Sequence, residues 1–288
     1  MNPIERRYAR LVRLYPAHSP RDEILDTLLQ SGERPTLRET SALVLGALRA
    51  RAGSDVHRTP REFAHSATRL AALALLVYAV AVDLLSSLPL DVPAILGSPP
   101  GILQYAVAGL VGLALHVVAL VTLARGAYRL AAFAAVLAVA PSAIALEMTG
   151  SYLNDGFWAA PVAALLVPAV NLSPVRERSS PAPWLAAVPV AVIALPTGLI
   201  TMLGPAFHLQ QQTMIALVVL GLAWSLVDAR VPLAVAALVL CDLLTHLTAV
   251  SVGAVVGEGT PTLGIAVTAA PVLVLLGAAA VSRRRTVL

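Results

Sequence analysis

The chain has 288 residues, 58% of them hydrophobic and only 12% charged, with a net charge of +4. Mean hydropathy is +0.81, whereas a soluble domain is nearer half apolar and about a quarter charged. That excess argues against an ordinary soluble globule and predicts a bilayer as the solvent. The basic residues gather at the ends of apolar runs and in the N-terminal segment, so lipid explains them better than nucleic acid.

All twenty basic side chains are Arg. Beside so much Ala, Val, Leu and Pro, this reads as a GC-rich coding bias. The single Cys, Cys241, lies in an apolar run and cannot close an internal disulfide. No signal peptide is expected, because the first long apolar run begins near residue 67.

Residues 1–62 hold eleven of the twenty arginines and eight acids, and are expected in water as a three-helix domain. The first helix is predicted over Pro3–Tyr15, with Ile4, Tyr8, Leu11, Val12 and Tyr15 at helical spacing. Pro16 stops it. Ser19-Pro20-Arg21-Asp22 reads as an N-cap with Pro in the first helical position, opening a helix through Gln30. Its apolar stripe is Ile24, Leu25, Leu28 and Leu29. Thr36-Leu37-Arg38-Glu39 matches the capping box and starts the third helix. A core this small is marginal alone, which predicts docking. The arginines Arg6, Arg7, Arg10 and Arg13 are expected on a solvated face that meets anionic lipid.

The strings Tyr8-Ala-Arg-Leu-Val-Arg-Leu-Tyr15-Pro16, Arg21-Asp22-Glu23-Ile24-Leu25-Asp26-Thr27-Leu28-Leu29 and Arg34-Pro35-Thr36-Leu37-Arg38-Glu39 resemble a known module. It is the short helical prefix that precedes membrane spans in many actinobacterial proteins, the HAAS and permease-prefix groups. The resemblance covers about the first fifth of the chain. It implies a signalling or regulatory adaptor, with Tyr8, Leu11, Tyr15, Ile24 and Leu28 as candidate docking residues.

Eight apolar runs follow: Ala67–Leu88, Gly101–Leu123, Tyr128–Met148, Gly156–Leu172, Trp184–Leu203, Thr213–Val227, Val231–Val250 and Thr262–Val281. Each approaches the roughly 20 residues a crossing needs. The fourth and sixth are short, so six crossings with two partial elements is the alternative topology. Arg125 and Arg129, Arg176 and Arg178, Arg230, and Arg283 to Arg285 fall on alternate connections. The intervening ones hold Asp91, Asp155, His208 and Glu258 and no Arg. Positive-inside orientation then predicts eight spans in the cell membrane, with both termini cytoplasmic.

An ionisable group at mid-bilayer costs about 2.5–3.5 kcal/mol on insertion scales. Asp242 and His246 stand one turn apart on the seventh run, with Thr245 beside them. They read either as a proton-relay or ligand site or as a self-satisfied packing pair. Asp83 in the first run and Glu147 at the end of the third fall at related depths. Should the first, third and seventh spans adjoin, these groups would line one polar cavity. His116 has no acidic neighbour in its own run and reads as a hydrogen-bonded packing residue. Asp228 and Asn171 are expected to be satisfied by interfacial water.

No phosphate loop, nucleophile elbow or HExxH pattern occurs. No cofactor or metal is expected, since Asp242 and His246 supply only two ligands.

The overall expectation is an all-α, polytopic membrane bundle of about eight helices (residues 63–288) behind a cytosolic three-helix domain (residues 1–62). A non-enzymatic regulatory adaptor is the leading function. A transporter or permease subunit, served by a separate ATPase or an ion gradient, is the alternative.

Overall fold

In the computed structural model, residues 3–17, 19–30, 36–52, 59–87, 100–141, 143–144, 155–172, 207–251 and 261–287 are described. Among them every regular element is a helix and none is a strand. The expected span Trp184–Leu203, Glu147 and the His246 side chain lie outside the described residues.

Three short helices open the chain: α1 (Pro3–Val12), α2 (Arg21–Gln30) and α3 (Leu37–Ala52). The Thr36 box forms as its sequence requires. Thr36 N donates to Glu39 Oε2 at 2.8 Å, and Glu39 N donates to Thr36 Oγ1 at 3.2 Å. α1 stops three residues before the expected Tyr15, in a turn closed by Leu14 N to Leu11 O and Tyr15 N to Val12 O. Arg21 then donates Nε and Nη2 to the Tyr15 carbonyl, tying the start of α2 to that turn. α1 packs on both α2 and α3 and buries Tyr8 and Val12 together with Ala47 of α3. Gly46 leaves room for the Tyr15 side chain, since a Cβ there would collide with the phenol hydroxyl.

The longer helices are α4 (Pro60–Ser87), α5 (Pro100–Ala124), α6 (Tyr128–Leu137), α7 (Asp155–Leu172), α8 (Phe207–Trp224), α9 (Arg230–Ser251) and α10 (Pro261–Val287). α4 starts before its apolar run because Thr59 and Glu62 form a second capping box, with Pro60 in the first turn. The α5–α6 link is a Schellman turn. Gly126 at φ +80° sends its N–H to Leu123 O, and Ala127 sends its own to Thr122 O. α6 ends at Leu137, short of the expected Met148, and Pro141 explains this. Its ring cannot donate to the Leu137 carbonyl and crowds it.

α4 is the hub, packed against α5, α7 and α9. α6 packs on α5 and α7, and α10 on α9 and α8. The core is small-residue and aliphatic, with Ala72, Leu75 and Leu76 of α4, Ala119 and Leu123 of α5, Val167 of α7 and Val235 of α9 fully buried.

Two helices are long and apolar enough to cross a membrane, Pro60–Leu84 and Ala106–Ala124, with mean hydropathies of 1.8 and 2.4. Shorter apolar helices are Tyr128–Pro141, Trp158–Leu172, Ile215–Trp224 and Ala269–Arg283. Large apolar side chains face outward on several of them. Examples are Leu110 and Val121 on α5, Phe133 and Val136 on α6, Leu165 on α7, Val219 on α8 and Leu273 on α10.

Candidate functional site

α5 presents one buried stripe, Ala108, Gly112, His116, Ala119 and Leu123, at three- and four-residue spacing. Four of these five carry no polar side-chain atom, and three are alanine, which lets α4 come close. His116 is the polar exception. It meets Asp83 of α4, with Nδ1 and Oδ2 2.6 Å apart. The imidazole is 2% exposed and the carboxylate side chain 22%. A Cβ on Gly112 would lie 3.6 Å from Asp83 Oδ2 and 3.6 Å from Pro141 Cβ, so α4, α5 and the chain beyond α6 converge here. His116 Nε2 is buried and has no hydrogen-bond partner among the described residues.

The partner of His116 is thus an acid on another helix, which an inspection of its own run cannot reveal. Hydropathy puts Asp83 and His116 in opposite halves of their runs, yet the helix pairing sets them side by side. A usable signal existed in the α5 stripe, because a histidine in line with Gly112 and Ala119 must face a packed neighbour.

Asp242 is buried on α9 beside Thr245, whose Oγ1 bonds back to Cys241 O at 3.0 Å. α9 packs on α4, so the expected adjacency of the first and seventh runs holds. At 1.5 Å per residue, Asp83 stands about 25 Å above the Ser66 level and Asp242 about 18 Å above the Arg230 level. These two levels coincide, because Arg230 Nη1 donates to Ser66 Oγ at 2.7 Å. α6, the third run, packs on α5 and α7 and reaches α4 through Tyr128.

A second polar cluster joins the helix ends around Ser66. Asp228 accepts the Arg230 backbone N–H at 2.9 Å as the N-cap of α9. It also accepts Arg230 Nη2 at 2.6 Å and Nε at 3.0 Å through Oδ2. Both side chains are buried. Asp228 is therefore satisfied by Arg230 and not by interfacial water, and Arg230 is no free surface charge. Arg69 donates to the Leu123 and Ala124 carbonyls at the end of α5 at 3.5 and 3.2 Å, where a cation suits the helix dipole. Its guanidinium also lies over the Tyr128 ring, which His65 meets edge-on. Arg283 lies over Phe63, and Ser282 donates to Ser225 O at 2.6 Å. Arg49 of α3 donates to Leu226 O at 2.8 Å, linking the N-terminal helices to this end.

Of the candidate docking residues, Tyr8 is 1% exposed and belongs to the small core, so it offers no surface to a partner. Leu11, Tyr15, Ile24 and Leu28 are half-buried. Burial pushes the Tyr15 phenol above its ordinary value of 10.0. No group of three or more metal-ligating side chains occurs among the described residues. Compared with protein-family models, curated proteins and solved structures, the chain matches none of them.

Proposed function

We propose that this chain is a regulatory adaptor of the cell membrane, with eight crossings, both termini in the cytoplasm and a prefix that docks a cytosolic partner. The observation that carries the reading is the convergence of helix ends. The start of α4, the α5–α6 turn, the α8–α9 turn and the end of α10 meet through Arg69, Tyr128, Arg230, Ser66, Ser282 and Arg283. These are the connections that carry arginine, and Arg125 and Arg129 are exposed there. The prefix joins the same end through Arg49. Outward-facing Leu110, Phe133, Leu165 and Leu273 suit acyl chains better than water.

Parity adds support. α6 leaves this end, α7 returns to it, and α8 arrives at it from the far side. One crossing is then required between residues 173 and 206, and Trp184–Leu203 supplies it. Reaction of single cysteines with a membrane-impermeant maleimide, in a Cys241→Ser background, tests the topology. Positions in residues 88–99 and 252–260 should label from outside, and positions near Arg125 and Arg176 only after lysis. For the adaptor role, pull-downs compare the full chain with one lacking residues 1–58, which keeps the Thr59 box. A partner recovered equally by both would overturn it.

A second reading, a transporter or permease subunit, is favoured by the buried Asp83–His116 pair. Under it, Asp83→Asn removes substrate uptake while the helical content stays intact.

A further inference from the structure

Asp83 and His116 differ in access to water, which gives the pair a direction. The carboxylate is partly exposed and stands near the last residue of α4, whereas the imidazole is enclosed. Toward the start of α4 the packing closes over Ala72, Leu75 and Leu76 against Ala119 and Leu123 of α5, all 0% exposed. None of these side chains can pass a proton.

The geometry points to a one-sided proton-binding site, filled from the end of the bundle where α4 terminates and sealed toward the arginine-bearing end. Empty, the pair is a carboxylate accepting Nδ1–H from a neutral imidazole, with a net charge of −1. Filled, it is an imidazolium–carboxylate pair or a carboxylic acid donating to Nδ1, and it is neutral. Both filled forms carry a hydrogen on Nε2, so Nε2 is the nitrogen whose hydrogen count changes. Water at the open end supplies that proton and takes it back. Burial favours the neutral pair over a lone charge.

A structural histidine usually fixes its second nitrogen with a carbonyl or hydroxyl. His116 Nε2 has no such partner among the described residues, so nothing there locks one form. Gly112 and Pro141 abut the carboxylate, which places the change of charge where α4, α5 and the end of α6 meet. The other ionisable groups on the packed helices are few. Tyr78 lies on α4, and Cys241 and Asp242 on α9, all buried. α7 has none from Trp158 to Leu172, and α6 has Tyr128 and Arg129 at its far end. The inference stands on the buried pair and is independent of what the prefix binds.

The test uses the full chain, 15N-labelled at histidine, in sealed liposomes whose orientation is read by protease access to residues 1–58. His116→Gln assigns the signals, and the unmodified chain alone decides. pH is varied on one side at a time between about 5 and 8, where histidine changes charge. The expected result is that His116 Nε2 converts from a bare to a hydrogen-bearing nitrogen in response to the compartment opposite the prefix. A signal unmoved from either side, or one that follows only the prefix side, overturns the proposal.

Discussion

Removing the Asp228 carboxylate should be the most damaging single change at the end of the bundle where the helices converge. Arg230 is buried, and its Nε and Nη2 are spent on Asp228, with Nη1 on Ser66. In Asp228→Ala the guanidinium keeps its charge, loses both carboxylate bonds and cannot reach water without unpacking α4 from α9. Breaking such a pair costs about 3–5 kcal/mol, far more than the pair is worth against an apolar replacement. The lost N-cap of α9 adds ~1 kcal/mol. At about 2–4 °C per kcal/mol for a chain of this size, the midpoint should fall by roughly 8–24 °C. Trp224 is the reporter, because its carbonyl accepts the Asp228 N–H at 2.9 Å. Its fluorescence is followed on heating in detergent micelles. The double variant Asp228→Asn with Arg230→Gln should recover much of the loss, because it leaves no bare charge. A loss in Asp228→Ala within the ~1 kcal/mol of an exposed pair would refute the argument. A double variant as unstable as the single would refute it as well.

Three further outcomes follow from local geometry. Gly126 sits at φ +80° with nothing within 4 Å of a Cβ, so Gly126→Ala should lower stability by ~1–2 kcal/mol through backbone strain alone, and Gly126→Asn by less; equal melting of all three would refute this. Gly221 faces Leu275 and Val235, which a Cβ would approach to 3.1 and 3.3 Å, while Gly277 faces open space. Gly221→Leu should therefore cost ~1–3 kcal/mol in the Trp224 melt by forcing α8 away from α9 and α10, and Gly277→Leu almost nothing. In the prefix, the raised Tyr15 phenol keeps its proton longer when folded than when unfolded, so stability is unchanged below pH 10.0 and falls as pH rises beyond it. Phenolate absorbance of the wild type minus that of Tyr15→Phe should show a group titrating above 10.0; a difference curve centred at or below that value would refute it.

Local rules carried the reading of the prefix. The Thr36–Glu39 box lies where the spacing demands, since its two hydrogen bonds involve only neighbours in sequence. The Thr59–Glu62 box has the same spacing, yet it precedes a polar stretch. An apolar run marks where a helix is buried, and α4 begins seven residues before burial makes it visible. α6 illustrates the converse. Its run continues to Met148, but one missing donor at Pro141 outweighs apolarity and ends the regular helix at Leu137. Composition is silent on register between helices. That is why Asp83 and His116 look unrelated in sequence and stand 2.6 Å apart in the fold. Asp228 was misread for a related reason. Its position at the end of an apolar run says water, whereas its spacing from Arg230 and the cap it provides to α9 say an internal pair.

The two polar sites differ in how completely they are satisfied, and this separates their roles. Around Ser66 the Asp228–Arg230 pair spends both carboxylate oxygens and all three guanidinium nitrogens on close partners. Such a network specifies one arrangement of helix ends and resists change. At Asp83 a single short bond joins two groups, one partly wet and the other with a nitrogen left open. That arrangement holds at least two charge states within one backbone geometry. α4 carries a member of each, Ser66 and Asp83, on one unbroken helix. The only alternative to rigid transmission along it is bending, and α4 has neither Pro nor Gly between these residues to permit a sharp kink. A change at Asp83 is therefore referred to the end where Arg49 holds the prefix, which is the geometry an adaptor needs to report on the far side of a membrane.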